Sequence, residues 1–318
     1  MKPALPEPAQ KDKVRVTDNI AWAACLPSLS ILIPFKSDDP ARLLAALDAA
    51  PSTGVEIILL DDGSCDPQLE ARIAAQVRAM RTPGRLLVLD RNEGRARGRN
   101  RLVSQARARH FLFLDSDMLP DADDFVRRWL DLAGEDVPVA FGGFSLQQCP
   151  PNPAHDLHRA MAARGDCVPA ELRRLTPEKY VFTSNLLVRR DVFAAEAFDE
   201  AFTGWGWEDV EWAMRVSARW PIRHLDNTAT HLGLDPAPTI AAKYEQSAAN
   251  FARVVALHRE VISTYPSYRV ARLLRRMPLM ALWRPFLKRI ALCEPLPVRS
   301  RAFAMRLYRA ALYAGALR

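Results

Sequence analysis

The chain has 318 residues, of which 49% are hydrophobic and 25% charged; that is enough apolar material for a sizeable core and excludes a disordered protein. Its formal net charge is +7, but residues 266–318 carry twelve Arg or Lys against one acid, Glu294, a local +11 that leaves the rest of the chain at −4. Basic character belongs to the tail, so nucleic acid is not an expected partner of the main domain. The five cysteines, Cys25, Cys65, Cys149, Cys167 and Cys293, are scattered and form no C-x-x-C pair. This argues against a disulfide framework or zinc site and fits a reducing cytoplasm. Residues 1–17 are rich in Pro and Lys without an apolar stretch, so no signal peptide is expected, and no charge-free apolar run is long enough to span a bilayer.

Residues 1–28 read as a Pro-containing arm with little pattern. An α/β alternation follows. Residues 29–35 (LSILIPF) predict a strand, 40–49 a helix on the spacing of Leu43, Leu44 and Leu47, and 55–60 (VEIILL) a second strand. A helix is expected over 66–80, a strand over 86–89, a helix over 94–109 and a strand over 111–114. Near-continuous apolar strands alternating with helices indicate an α/β protein with a mostly parallel sheet covered on both faces. Ligands of such sheets bind beyond the carboxyl ends of the strands. Polar clusters stand there at 34–39, 61–64, 90–94 and 115–117.

Beyond Asp117 the pattern is mixed. Strands are expected over 137–144, 180–188 and 222–225, and helices over 208–220 and 239–262. In the tail, Val270, Leu273, Leu274 and Met277 fall at i, i+3, i+4 and i+7 among Arg272, Arg275 and Arg276. Phe303, Leu307, Ala311 and Ala314 repeat that spacing among Arg301, Arg306 and Arg309, so both segments predict basic amphipathic helices. Such helices either pack on the main domain or lie on an anionic membrane.

Four groups of residues suggest chemistry. Asp115 and Asp117 follow the apolar run FLFL, and two carboxylates at a strand end can share a Mg²⁺ or Mn²⁺ ion with a diphosphate. The plain alternative is a solvated turn or a helix cap. Asp61, Asp62, Gly63 and Ser64 form either a turn or a carboxylate acceptor for a nucleotide base. Asn92, Glu93 and Gly94 open a helix bearing Arg95, Arg97, Arg99 and Arg101; glycine admits close backbone approach and a helix N-terminus favours anions. One or two of those arginines would reach a diphosphate, the others forming a solvated face. The least generic stretch is Gly204, Trp205, Gly206, Trp207, Glu208 and Asp209. There indole faces could stack on a sugar while a carboxylate takes a hydroxyl proton, or the acids could simply favour a helix start with the indoles in the core.

Taken in order, IPFK, LLDDGS, NEGRARGRN, FLFLDSD, TSNLLVRRDVF and FDEAFTGWGWEDVEWAMR resemble the family-two glycosyltransferases of the GT-A fold over roughly residues 29–235. The last block is similar to the GWG-x-ED segment of galactosyltransferases, chondroitin polymerases and mucin-type N-acetylgalactosaminyltransferases. The resemblance implies that Asp62 contacts the donor base, usually uracil, with Pro34 and Phe35 lining its pocket. It matches Asp115 and Asp117 to the D-x-D that holds metal, ribose and diphosphate, His231 to a downstream metal ligand, and Asp209 to the catalytic base with Glu208 beside it. Arg97 matches a donor-side arginine next to Glu93 and Gly94, and Trp205 and Trp207 would border the acceptor. Trp207 departs from the galactosyltransferases, which carry a second glycine there.

The expectation is an arm (1–28), a GT-A domain (29–235) and a helical C-terminal extension (236–318). The implied activity is inverting, metal-dependent transfer from a nucleotide sugar, UDP-linked, to a glycan or lipid-linked hydroxyl in surface-polysaccharide synthesis, in the cytoplasm or at the inner membrane face. A sugar nucleotidyltransferase would leave the Gly-Trp-Gly-Trp-Glu-Asp block without a reason, and a non-catalytic scaffold would not need all of Asp115, Asp117, Asp209 and His231.

Overall fold

The computed structural model describes residues 14–49, 53–277 and 280–317. Where the sequence suggests a patternless arm, β1 (Arg15–Asp18) pairs antiparallel with a sheet edge. Only one of its four side chains is shielded, so no apolar alternation announces it, and the Arg85–Asp18 ion pair at 2.7 Å ties it down. Residues 1–13 of the arm lie outside the described residues.

The alternation that follows appears as expected: β2 (Leu29–Phe35), α1 (Ala41–Ala49), β3 (Val55–Asp61), α2 (Pro67–Ala79), β4 (Gly84–Val88), α3 (Arg95–Gln105) and β5 (His110–Leu114). Asp66 caps α2 by accepting from the amides of Gln68 and Leu69, and Pro67 occupies the first turn, where its missing N–H costs nothing. Helix α3 stops four residues before the expected end because Ala106 turns to an extended conformation.

Next come β6 (Met118–Pro120), α4 (Phe125–Gly134), β7 (Val139–Phe141), β8 (Phe144–Ser145), α5 (Asp156–Gly165), α6 (Ala170–Arg173), β9 (Asn185–Arg189), α7 (Arg190–Ala195), α8 (Glu208–Ser217), β10 (Ile222–His224) and β11 (Ala229–His231). The single strand expected over 137–144 is two, broken at Gly142 and Gly143, and they join different sheets. The strand expected from 180 begins only at Asn185.

The large sheet has the order β1-β4-β3-β2-β5-β9-β7-β10. Strands β4, β3, β2 and β5 are parallel, β9 is antiparallel to both β5 and β7, and β10 runs parallel to β7. Ile31 and Ile33 pack on one face with Leu43, Ile73 and Trp129, whereas Leu32 packs on the other with Leu102, Val192 and Trp212, as the two-residue period of a strand requires. Register places Phe35 beside Asp61 and Asp61 beside Val88, so the polar clusters end at one level. A small second sheet, β6-β11-β8, lies at that edge.

The remaining helices are α9 (Ala237–Leu257), α10 (Arg259–Ile262), α11 (Pro266–Arg275), α12 (Met280–Leu292) and α13 (Val298–Ala316). Leu157 and Met161 of α5 pack with Ile240 and Tyr244 of α9 and with Met305 and Tyr308 of α13. Val210 and Met214 of α8 pack with Phe251, Val254 and Tyr313, the Phe251 and Tyr313 rings stacked at 4.2 Å. The tail therefore packs on the main domain, but through only part of the expected rows: Leu274, Ala311 and Ala314 turn inward. Helix α11 buries Tyr268 and Ala271 and leaves Leu273 64% exposed, while α13 buries Ala304, Met305, Tyr308 and Ala311 and leaves Phe303 63% exposed. Small residues let helices approach closely, so alanine rather than the bulkier residue faces inward.

Candidate active site

Three loops at the carboxyl ends of β2, β3 and β5 form the floor of the site. The Asp62 carboxylate accepts from the Glu93 amide at 2.7 Å and the Gly94 amide at 3.1 Å, tying the β3 loop to the start of α3. Burial outweighs these bonds and leaves the Asp62 carboxyl above its ordinary value. Gly63, at φ +73°, permits the close approach: a Cβ there would lie 2.3 Å from the Arg91 carbonyl carbon. Pro34 is half-buried at this end of β2, but Phe35 points into the core beside Leu43 and lines no pocket through its ring. Its carbonyl instead accepts from the Asp62 amide at 2.9 Å. Glu93 is locked to Arg101 and offers the site its backbone.

Arg97 points away, pairing with Glu200 at 2.9 Å on an exposed face. Helical geometry explains the correction. Arg95 and Arg99 are four residues apart on one face of α3, and Arg97 lies about 200° round from Arg95. Buried Arg99 donates to Asp115 at 2.9 Å and to Glu208 at 3.5 Å, and Arg95 lies 4.0 Å from Glu208. Burial opposes the charge of Arg95, but the negative charges of Glu208, Asp115, Asp209 and Asp117 outweigh it and raise the Arg95 pKa.

Asp115 and Asp117 differ in their surroundings. Both Asp115 oxygens are engaged, one by Arg99 and the other by the Ser184 hydroxyl at 2.8 Å. Burial raises this carboxyl, but Arg99, Arg95 and the Ser184 bond more than offset it and hold Asp115 below its usual value. Asp117 is the more open of the two. The pairing of His231 with Met118 across β11 and β6 brings the imidazole beside it, Nε2 to Oδ2 at 3.2 Å. Burial lowers the His231 pKa, yet the bond and charge of Asp117 carry it above its ordinary value.

Asp117 and His231 could contribute two ligands to a hard divalent ion, leaving its other positions to phosphate and water. Among the described residues there is no group of three or more His, Cys, Asp or Glu that would form a cage from protein alone. Gly233 keeps this corner open: a Cβ would sit 1.9 Å from Asp117 Oδ2.

Trp207, at φ +79°, ends the glycine-tryptophan loop and starts α8. Its ring is not free for a sugar: Nε1 donates to the Tyr313 hydroxyl at 3.0 Å and the indole packs on Phe251. Asn250 secures the loop by donating to the carbonyls of Thr203 and Gly206, both at 2.9 Å. Trp205 is half-buried, 6.0 Å from the Tyr244 ring. Glu208 is buried in its pairing with Arg99, whereas half-buried Asp209 accepts at 2.9 Å from the Val210 amide. Burial first, then the Glu208 charge, push the Asp209 carboxyl upward, and Arg99 and Arg95 offset only part of this.

The structure thus brings Asp62, Glu93, Gly94, Asp115, Asp117, Glu208, Asp209 and His231 to one end of the sheet and turns Phe35, Arg97 and the Trp207 ring elsewhere. Of the four arginines on α3 it turns Arg95 and Arg99 to the site, and it adds Ser184 and His158, whose ring lies 5.8 Å from that of His231. The i, i+4 spacing of Arg95 and Arg99 was a signal for the first two. No local pattern marks Ser184 or His158.

Comparison with solved structures agrees with this architecture. The mannosyltransferase PcManGT from Pyrobaculum calidifontis, in complex with GDP-Man and Mn²⁺, superposes with a TM-score of 0.55 at 16% identity, covering 91% of this chain and 87% of that one. Residues 1–349 of TarS from S. aureus give 0.50 at 15% identity, covering 89% of each chain, and their UDP-GlcNAc complex gives 0.50 at 16% with the same coverage. At these identities the likeness is one of fold, and it is the GT-A fold with C-terminal helices. Among proteins of curated function none matches. The sequence model of Glycosyl transferase family 2 matches residues 30–195, just over half of the chain, so this protein belongs to that family and is a glycosyltransferase.

Proposed function

We propose that this enzyme transfers a hexosyl or N-acetylhexosaminyl group from a UDP-sugar to a glycan or lipid-linked hydroxyl, by metal-dependent displacement with inversion. The observation that carries the reading is the position of Arg95, 4.0 Å from Glu208 and within electrostatic reach of Asp115, Asp209 and Asp117. A cation near these carboxylates suits a reaction in which a diphosphate leaves on one side and a hydroxyl loses its proton on the other. The mannosyltransferase of the same fold, in complex with GDP-Man and Mn²⁺, supports the nucleotide-sugar donor and the metal.

Asp209 accepts the acceptor's proton as that oxygen bonds to the anomeric carbon and the bond from that carbon to the diphosphate oxygen breaks. Its raised pKa suits a group that must take up a proton. Arg95 faces the charge that develops on the departing diphosphate, a preorganised electrostatic contribution. Glu208 holds Arg99, and Arg99 holds Asp115 ionised toward the donor ribose. Asp62, with Glu93 and Gly94, shapes the base pocket under Pro34, and Trp205 borders the acceptor. Asp117 and His231 would hold a Mn²⁺ or Mg²⁺ ion, which would supply positive charge to the leaving group.

On this reading the donor-binding unit is residues 29–235, with β1 as an added edge and 236–318 as its helical extension. The setting is surface-polysaccharide synthesis at the cytoplasmic membrane face. No described helix is long and apolar enough to cross a membrane. The outward row of Val270, Leu273 and Met277, with exposed Trp283 and Phe286 in the basic tail, supports peripheral contact with anionic lipid.

The test is a panel of nucleotide sugars with Mn²⁺, with and without EDTA, read by nucleoside diphosphate release and by the anomeric configuration of the product. UDP release from one donor, stopped by EDTA, is expected. Turnover indifferent to EDTA would remove the metal. Silence across the panel, with no donor bound by calorimetry, would favour a carrier that kept the fold without the reaction.

A further inference from the structure

A cavity of about 280 Å³ lies between α5, α9 and α13, outside the loops assigned to the donor. Its wall includes Arg164, Arg306 and Arg309 and one acidic residue, Asp166. None of the three arginines enters an ion pair among the described residues. Arg309 is steered instead by Tyr244, with its guanidinium 5.1 Å from the ring centre. Three cations facing one acid make the cavity electropositive. Burial also pushes Asp166 up to about 6, which weakens its opposition near neutral pH.

The cavity adjoins the reaction site on two sides. His158 lines it and packs against His231, itself 3.2 Å from Asp117. Tyr244 lines it and packs against Trp205, four residues before Asp209. A molecule extending past Trp205 from the reaction site would meet the Tyr244 wall of this cavity. An unpaired arginine cluster in a partly enclosed space binds oxyanions through charge-assisted, bidentate hydrogen bonds.

We propose that the Arg164, Arg306 and Arg309 cavity is an acceptor subsite for an anionic group, so that the preferred acceptor carries a phosphate or a carboxylate near the hydroxyl that is glycosylated. This rests on the assignment of Asp209 and Trp205 to the acceptor side. A phosphorylated acceptor and an acidic sugar share this chemistry, and the experiment separates them.

The full-length chain with Mn²⁺ and saturating UDP is titrated with phenyl phosphate, phenyl glucuronide and neutral phenyl glucoside, by calorimetry. One or both anions should bind, and the glucoside should bind at least tenfold more weakly. The phosphate-to-glucuronide ratio names the source. Arg306→Gln and Arg164→Gln should each weaken the anion on the order of tenfold while UDP affinity changes less than twofold. Arg309→Lys, which keeps the charge of the most enclosed member, should retain more anion binding than Arg309→Gln. Equal binding of anion and glucoside, or parallel loss of UDP and anion affinity in the variants, would overturn the proposal. Failure of UDP to bind the parent chain would overturn the donor assignment and this inference with it, whereas UDP binding without anion binding would overturn this inference alone.

Discussion

The sheet and the C-terminal helices bury apolar surface with different residues. The sheet uses branched and aromatic side chains, such as Ile31, Ile33, Ile57, Leu112 and Phe113, all without solvent exposure. The helices from Pro266 onward use mainly alanine and tyrosine, such as Ala302, Ala304, Ala311, Tyr308 and Tyr313, and leave Leu273, Trp283, Phe286 and Phe303 outside. The contrast teaches that apolar spacing identifies the inward face where a strand's two faces are both covered. It misidentifies that face where helices meet at small residues and tyrosines whose hydroxyls find partners, as Tyr308 does with Glu245 at 2.6 Å. Helix α8 joins the two regions, giving Trp212 and Val216 to the sheet core and Val210 and Met214 to the helical one.

The largest effect is expected at this seam. Asp209→Asn should lower kcat about 10²- to 10⁴-fold while UDP affinity by calorimetry stays within twofold. Full activity would remove Asp209 as the base. Within the sheet, Leu112→Ala should cost about 2–5 kcal/mol in chemical denaturation, the range for emptying a packed leucine site. A smaller effect concerns pH. Burial and Glu208 raise Asp209, so kcat/KM should climb with pH above the usual carboxylate range as Asp209 loses its proton. Glu208→Gln removes the like charge, so the climb should begin at lower pH, and an unmoved profile would place the titration elsewhere. The smallest effect tests the tail: Leu273→Ser should change stability by no more than about 0.5 kcal/mol, as for an exposed side chain. A loss near that of Leu112→Ala would erase the contrast between the regions.

The parallel sheet, its order of strands and helices, and the level at which Asp62, Asp115 and Asp117 stand were legible because strands end where apolar runs stop and polar loops begin. The approach of His231 to Asp117 was visible only through resemblance, since it depends on the β6–β11 pairing over more than a hundred residues of chain. Choosing Arg97 over Arg95 and Arg99 ignored the face that α3 turns to the sheet ends. Trp207 was legible as unusual but not as anchored, because its partner Tyr313 lies in the last helix. β1 was hidden by its exposed, charged residues.

That anchor bears on the order in which the protein is made. The nucleotide-binding sheet can fold as it leaves the ribosome, N-terminal part first. The loop before Asp209 receives its Trp207 bond only when Tyr313, 106 residues further along the chain, has emerged. A nascent chain could then bind a donor well before the residues that would spend it on an acceptor are held in place.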